Sequence, residues 1–312
     1  MKIRLGYVAI SKTLDNVTSS STVTYTNFNK DNDFDKLDKV IKSNFEDLEK
    51  ILNYNIKNDI HFYRLTSKLI PLATHKDVDF EYIKKYDKYY DKISKLINES
   101  NMRVDVHPDQ FCVLNSVNKE VLENSIRILE YHINILKALK IKKPVIILHV
   151  GSSTFGKEKS ISRFINNFKK LPKDIQDAIV LENDDKIYNA DDVLKICKKL
   201  NIPFALDYHH HICNPCNNID NILEDIFNTW KNINPKMHFS SPKNKTKKDF
   251  RSHNDYIFSD DFIMFLEKVK QYNVDLDIML EAKEKDNALF KLIREIKYKT
   301  NYKFIDDTSF FV

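Results

Sequence analysis

The stretch 178–207, AIVLENDDKIYNADDVLKICKKLNIPFALD, holds two short apolar runs that end in the carboxylates Glu182 and Asp207, with a segment of helical periodicity between them. Short continuous apolar runs bounded by polar segments are the pattern of strands buried on both faces of a parallel sheet. The stretch therefore reads as strand, helix, strand. Four further runs repeat the pattern on either side: RVDVH to His107, VIILH to His149, KMH to His238 and DIMLE to Glu281. In a closed (β/α)8 barrel the carboxyl ends of successive strands point into one mouth, so residues far apart in the chain converge there. Three His, two Glu and one Asp at that place in six consecutive strands predict an α/β TIM barrel with a polynuclear metal site at the C-terminal face.

Beyond that stretch, eight strand and helix pairs can be laid down over a single domain, 1–312. Strands are expected near 2–9, 60–66, 103–107, 144–149, 178–182, 203–207, 235–239 and 276–282. Helices are expected near 33–58, 80–101, 118–140, 159–173, 190–201, 217–232, 260–273 and 285–300. The length fits, because α/β barrels run longer than an average domain while remaining one. The chain is 42% hydrophobic, enough for a sizeable core, and no apolar run approaches the roughly 18 residues of a membrane span. The start, MKIRLGYVAIS, is short in apolar residues and lacks a small-residue cleavage site, so it reads as the first strand and not a signal peptide.

The net charge of +5 leans only mildly towards a polyanionic partner, since lysine is abundant throughout. Four cysteines make no disulfide framework at this length, which points to a reducing intracellular setting, cytoplasmic in a prokaryote. Cys213 and Cys216 form a CNPC pair with no second CxxC and read as incidental thiols. The longest irregular stretch, about 240–258, carries Lys243, Lys245, Lys247, Lys248, Arg251 and His253. Loops of that length are usually functional or disordered.

Buried carboxylates such as Glu182 and Glu281 are rare unless paired or metal-bound. Asp207 opens DYHHHICNP, in which His210 lies three residues on and could ligate a neighbouring ion; His209 and His211 read as supports or pocket walls. With His210 and His253 the candidate ligands number eight: His107, His149, Glu182, Asp207, His210, His238, His253 and Glu281. Nitrogen and carboxylate ligands without thiolate suit Zn, Mn or Fe, and a carboxylate can bridge two ions. Lys236 precedes His238 by two residues and shares its face of the strand. A desolvated amine near cations loses its proton and can take up carbon dioxide as a carbamate, N6-carboxylysine, the alternative being a lysine bent to phosphate or solvent. Lys283, two beyond Glu281, would lie on the same side and offset phosphate charge, or be a solvated lysine. His75 is placed to reach the mouth, whereas His61 and His132 fall inside elements and read as structural.

The motifs GY near the amino terminus, HPDQF, LHVGS, LENDD, DYHHHICNP, KMHFSS and LEAK, in this order over essentially the whole chain, resemble the UV damage endonuclease family, a relative of endonuclease IV. The resemblance implies a monomer that binds three divalent ions, Mn2+ first and Zn2+ or another divalent ion next, through the residues matching those eight ligands. It also implies incision of damaged double-stranded DNA immediately 5′ to cyclobutane dimers, 6-4 photoproducts and abasic sites, leaving a 3′-hydroxyl and a 5′-phosphate. Glu182, Lys236 and Lys283 would serve the chemistry, in which clustered ions activate water and stabilise the departing oxygen. Gln110, Phe111 and Tyr7 inherit the role of probing the lesion, with Ser11 beside them. The family's usual HPGQY is HPDQF here, so Asp109 replaces a glycine and Phe111 a tyrosine, and Ser11 stands where an asparagine is frequent. Phe111 keeps a stacking face and loses a hydroxyl. Two other readings stay open: a sugar isomerase or epimerase on the same barrel, and a catalytically silent binder of distorted DNA.

Overall fold

The computed structural model describes residues 1–31, 34–244, 246 and 248–312; Asp33, the first residue of one expected helix, and Lys245 and Lys247 of the lysine-rich loop lie outside the described residues. Eight parallel strands follow the expected order: β1 Lys2–Val8, β2 Phe62–Arg64, β3 Arg103–Asp105, β4 Ile146–His149, β5 Ile179–Glu182, β6 Phe204–Asp207, β7 Lys236–Phe239 and β8 Leu276–Leu280. Their order in the sheet is β3-β2-β1-β8-β7-β6-β5-β4, and a parallel bridge from Val106 to Ile146 brings the two ends together. This is the TIM barrel, and its C-terminal face carries the predicted ligands.

Alternation along the strands explains the sequence pattern. Ile146, Leu148, Ile179, Leu181, Phe204 and Leu206 belong to the large core cluster. Val145, Ile147, Val180, Ala205 and Trp230 form a second, smaller cluster. Side chains two apart on a strand share a face, so His149, Glu182 and Asp207 continue the face of Ile147, Val180 and Ala205 and emerge above that small apolar plug. Helices cover the other face. The helix Phe34–Lys57 buries Leu37, Ile41, Phe45, Leu48, Ile51 and Leu52 at helical spacing. The helix at Ala190–Leu200 starts at a capping box, Asn189 with Asp192, and stops at left-handed Asn201.

Four expectations need correction, the first being that the helix expected over 80–101 is two, Tyr82–Lys85 and Asp87–Glu99, parted at Tyr86, whose φ of -113° and ψ of 25° are not helical. The helix expected over 159–173 is two, Lys157–Phe168 and Lys173–Ala178, because Pro172 cannot continue the first and starts the second. Over 217–232 only Leu223–Asn228 is helical. A carboxy-terminal hairpin, β9 Lys303–Phe304 and β10 Ser309–Phe311, was not anticipated. It exists because β2 pairs only with Tyr7 and Val8 of β1. That leaves Lys2–Arg4 free, and β10 takes them up antiparallel.

Candidate metal centre

Strand register brings the ligands together before any side chain is considered. His149 lies opposite Glu182 on β4 and β5, and Asp207 opposite His238 on β6 and β7. Glu281 directly follows β8, its amide donating to the Phe239 carbonyl at 3.0 Å. Asn183 locks the centre's floor: its side chain accepts from the Asp207 amide at 2.9 Å and donates to the Asp207 carbonyl at 3.0 Å. Asp207 then caps the short helix Tyr208–Cys213 by accepting from the His210 amide at 2.8 Å, which turns the imidazole back so that its Nδ1 sits 3.0 Å from the Asn183 carbonyl.

Glu182 is the hub. Its oxygens lie 2.8 Å from His107 Nε2, 2.9 Å from His238 Nδ1, 3.4 Å from His210 Nδ1 and 3.7 Å from His149 Nε2. Among the described residues three groups could hold an ion: His107, His149 and Glu182; Glu182, Asp207 and His210; Asp207, His238 and Glu281. Seven of the eight predicted ligands thus come together, with Glu182 and Asp207 each shared between two groups. The eighth, His253, approaches Glu281 at 3.9 Å.

The residues fit metal ions on two counts. The donor set is imidazole and carboxylate, and two buried atoms within it, Asp207 Oδ2 and His149 Nδ1, have no hydrogen-bond partner, a cost that a ligand would remove. Charges are also unevenly held. Burial pushes the Asp207 carboxyl up to about 7. Burial would lower His210, but Asp207, Glu182 and Glu281 outweigh it and push the imidazole up to about 11. Burial lowers His238 to about 4. Arginine has no acceptor, so the 2.7 Å contact from Arg64 Nη2 makes His238 Nε2 the acceptor and leaves Nδ1–H to donate to Glu182. Glu182 is held ionised, well below the usual carboxylate range, against the opposing effect of its burial.

Below the ligands, two residues nearer the strand starts, lies a charged layer that sequence reading missed except for one lysine. Lys236 Nζ is fully buried, 2.5 Å from Asp105 Oδ2 and 5.1 Å from the Phe62 ring centroid. Burial, with Arg64 and Arg103 near, lowers it to about 7 against the attraction of Asp105. Arg64 ties this layer to the one above. It reaches Glu281 Oε1 at 2.6 Å through Nη1 and Asp105 at 3.5 Å through Nε. Deeper still, Asp277 receives Arg4 and Arg103, each at 2.6 Å. In the sequence these residues look like ordinary charges. The signal was that Asp105 and Lys236 each stand two before a predicted ligand on a buried strand.

Other assignments divide. Gln110 and Phe111 are exposed at the mouth, Phe111 at 66%. Tyr7 and Ser11 are buried. The Tyr7 hydroxyl donates to Asn55 at 2.7 Å, its ring packs edge-on against Tyr63, and Ser11 donates to Asp286 at 2.7 Å. In this conformation neither side chain offers surface to a duplex, and each is held from within the fold by its own hydrogen bond. Lys283 is exposed, 3.9 Å from Asp255; β8 stops at Leu280, so the two-residue alternation used to aim it at the centre does not extend that far. His75 stacks on Tyr25 with centroids 3.9 Å apart and lines a cavity with Gln110 and Phe111 at the mouth. Cys213 and Cys216 are free thiols. In the long loop Lys243 and Arg251 are near Asp249 and Asp185, and Lys248 is exposed.

The family model described as UV-endonuclease UvdE matches residues 3–309. A UV DNA damage endonuclease of Bacillus cereus (strain B4264) is 44% identical over 303 residues, 95% of each chain. The crystal structure of SacUVDE superposes with a TM-score of 0.86 at 34% identity, over 95% of this chain and 98% of that one. Endonuclease IV from Thermus thermophilus shares the fold, with a TM-score of 0.58 at 10% identity over 95% and 100% of the two chains.

Proposed function

The chain belongs to the UV-endonuclease UvdE family, and from that membership we propose that it is a UV DNA damage endonuclease that nicks duplex DNA immediately 5′ to photoproducts and abasic sites. The observation that carries the reading is the stacking of three overlapping ligand groups beneath a mouth from which Gln110 and Phe111 protrude. A barrel mouth built for a small sugar has no need of an exposed apolar probe. Family membership also argues against the epimerase.

In this proposal His107, His149, Glu182, Asp207, His210, His238, His253 and Glu281 hold three divalent ions, with Mn2+ preferred. Bound there, such ions supply Lewis acidity and a water of lowered pKa for hydrolysis to a 3′-hydroxyl and a 5′-phosphate. The chain's own residues do the positioning. Glu182 and Asp207 set the spacing of the ligand groups, Asn183 fixes the Asp207 backbone, Arg64 holds Glu281 and His238 in place, and the exposed Lys248 and Lys283 would meet phosphates. Nicking of irradiated plasmid with and without a chelator, followed by analysis of the strand ends, tests the reading. Chelator-resistant nicking, or none at all, defeats it.

Gln110 and Phe111 act as a wedge. Replacing both by Ala is expected to weaken incision at a dimer roughly 5- to 100-fold, the range one lost aromatic stack brings, and to affect an abasic site much less, because that site is already partly unstacked. Parallel rate measurements on the two substrates decide it, and equal losses would remove the wedge role.

Lys236 completes the proposal. With its pKa lowered to about 7, a share of the amine is neutral near pH 7, and the lone pair of that form can add to the carbon of carbon dioxide while one N–H proton leaves to solvent. The resulting carbamate exchanges the Asp105 contact for the guanidinium charges of Arg64 and Arg103. Protein equilibrated with 13C-bicarbonate is expected to show a carbamate carbon resonance that is missing in Lys236→Met. A spectrum without that resonance would leave the ion pair with Asp105 as the resting state.

A further inference from the structure

We propose that Phe155 is a second aromatic contact to the damaged duplex, standing on the neighbouring lip of the cleft that leads to the metal centre; this rests on the endonuclease reading. Two of the mouth's most exposed large apolar side chains are Phe111, at 66%, and Phe155, at 73%. Phe155 lies in the loop between β4 and the helix Lys157–Phe168, so it is on the same C-terminal face as the ligands.

Its backbone is what distinguishes it from an ordinary exposed residue. Phe155 has φ +66° and occupies the third position of a turn closed by the Gly156 amide on the Ser153 carbonyl at 2.9 Å. That position with left-handed φ is ordinarily taken by Gly or Asn, and for a bulky residue it is sterically unfavourable. Such a conformation persists only where the surroundings over-determine it, and here they do. The Thr154 carbonyl accepts from Arg163 Nη2 at 2.6 Å and from Ser160 Oγ at 3.0 Å. The Ser152 carbonyl accepts from Asn115 Nδ2 and the Tyr188 hydroxyl, both at 2.7 Å. A buried framework thus presents one solvated phenyl ring that it does not itself need for packing.

The same framework joins the two lips. Asn115 belongs to the loop that carries Gln110 and Phe111, and its Oδ1 also accepts from the Ser152 amide at 2.9 Å. Between the loops opens a cavity of about 360 Å³, lined by Asp109 and Gln110 from one side, Gly151 and Ser152 from the other, with His149 and His210 at its base. The two rings stand on the loops that flank this cavity, Phe111 one residue beyond Gln110 and Phe155 three beyond Ser152, so DNA that reaches those ligands would meet both loops. An apolar ring held rigidly at that place can stack on a base or pack against a deoxyribose without paying for its own ordering.

Three variants test this with binding to a dimer-containing duplex, read by fluorescence anisotropy beside thermal melting. Phe155→Ala is expected to bind roughly 5- to 100-fold more weakly with an unchanged melting temperature, since the ring is solvated. Phe155→Gly, released from the left-handed penalty, is expected to be at least as stable as the parent and to lose the same binding, a split that a structural role would not produce. Phe155→Trp is expected to retain binding, and its indole emission should change when the duplex is added. Parent-like binding by Phe155→Ala, or indole emission unmoved at saturating duplex, would overturn the inference while leaving the endonuclease reading intact. A parent protein that neither binds nor nicks the duplex overturns that reading and this inference with it.

Discussion

Glu182→Gln is expected to remain folded, to lose most of its bound divalent metal and to nick irradiated DNA more than about a hundred-fold more slowly than the parent, since even a residue that only orients a ligand costs 10- to 100-fold when removed. The substitution changes almost no volume. What it removes is the charge at the one side chain approached by four imidazoles, His107, His149, His210 and His238, and the second anionic oxygen needed to serve two of the three ligand groups at once. An amide offers one oxygen acceptor and turns an N–H towards the other imidazole. The measurements are metal content of the purified protein and single-turnover incision. A variant with parental metal content and parental rate would show that the centre lies elsewhere.

The second large effect is on stability and concerns a residue outside the ligand set. Arg64→Met is expected to destabilise the metal-free protein by about 3–5 kcal/mol, the usual consequence of leaving buried charges without their partner, or a fall of roughly 5–8 °C in Tm for a chain of this size. Glu281 would lose its 2.6 Å contact and Asp105 its 3.5 Å one; Asp105 keeps Lys236, whereas Glu281 keeps only imidazoles, His238 at 3.4 Å and His253 at 3.9 Å. Burial would raise the Glu281 carboxyl, and Arg64 is the foremost influence that holds it well below its ordinary range. Adding Mn2+ is therefore expected to restore much of the loss, because a cation bound at Glu281 replaces the missing guanidinium. Melting curves with and without the ion measure both parts. Equal destabilisation in the two conditions would mean that Glu281 is no ligand.

How much of this could be read without coordinates depends on the range of the interaction involved. The apolar runs ending at His107, His149, Glu182, Asp207, His238 and Glu281 carry the barrel in plain view, because alternation and length are local properties of a strand, and barrel closure brings strand ends together wherever they sit in the chain. The motifs around them were enough to recognise the family. Local signals also failed locally: Pro172 divides one expected helix, and the weakly patterned hairpin at 303–311 is paired only because the short β2 leaves the first residues of β1 uncovered.

Tertiary packing settled what depends on angle and enclosure. Tyr7 is one residue from a glycine in a motif that suggests exposure, yet its hydroxyl ends on Asn55, 48 positions away. Lys236 meets Asp105 across 131 positions, and Arg64 meets Glu281 across 217. Phe155 looks like any loop aromatic until its left-handed φ and its exposure are seen together. Sequence alone sets which residues arrive at the mouth, since strand periodicity is written one residue at a time. Which of them join the ligand cluster, which support the others from below and which face solvent is set by the closed barrel, where partners follow from proximity across strands and a charge is tolerated only beside its counter-charge.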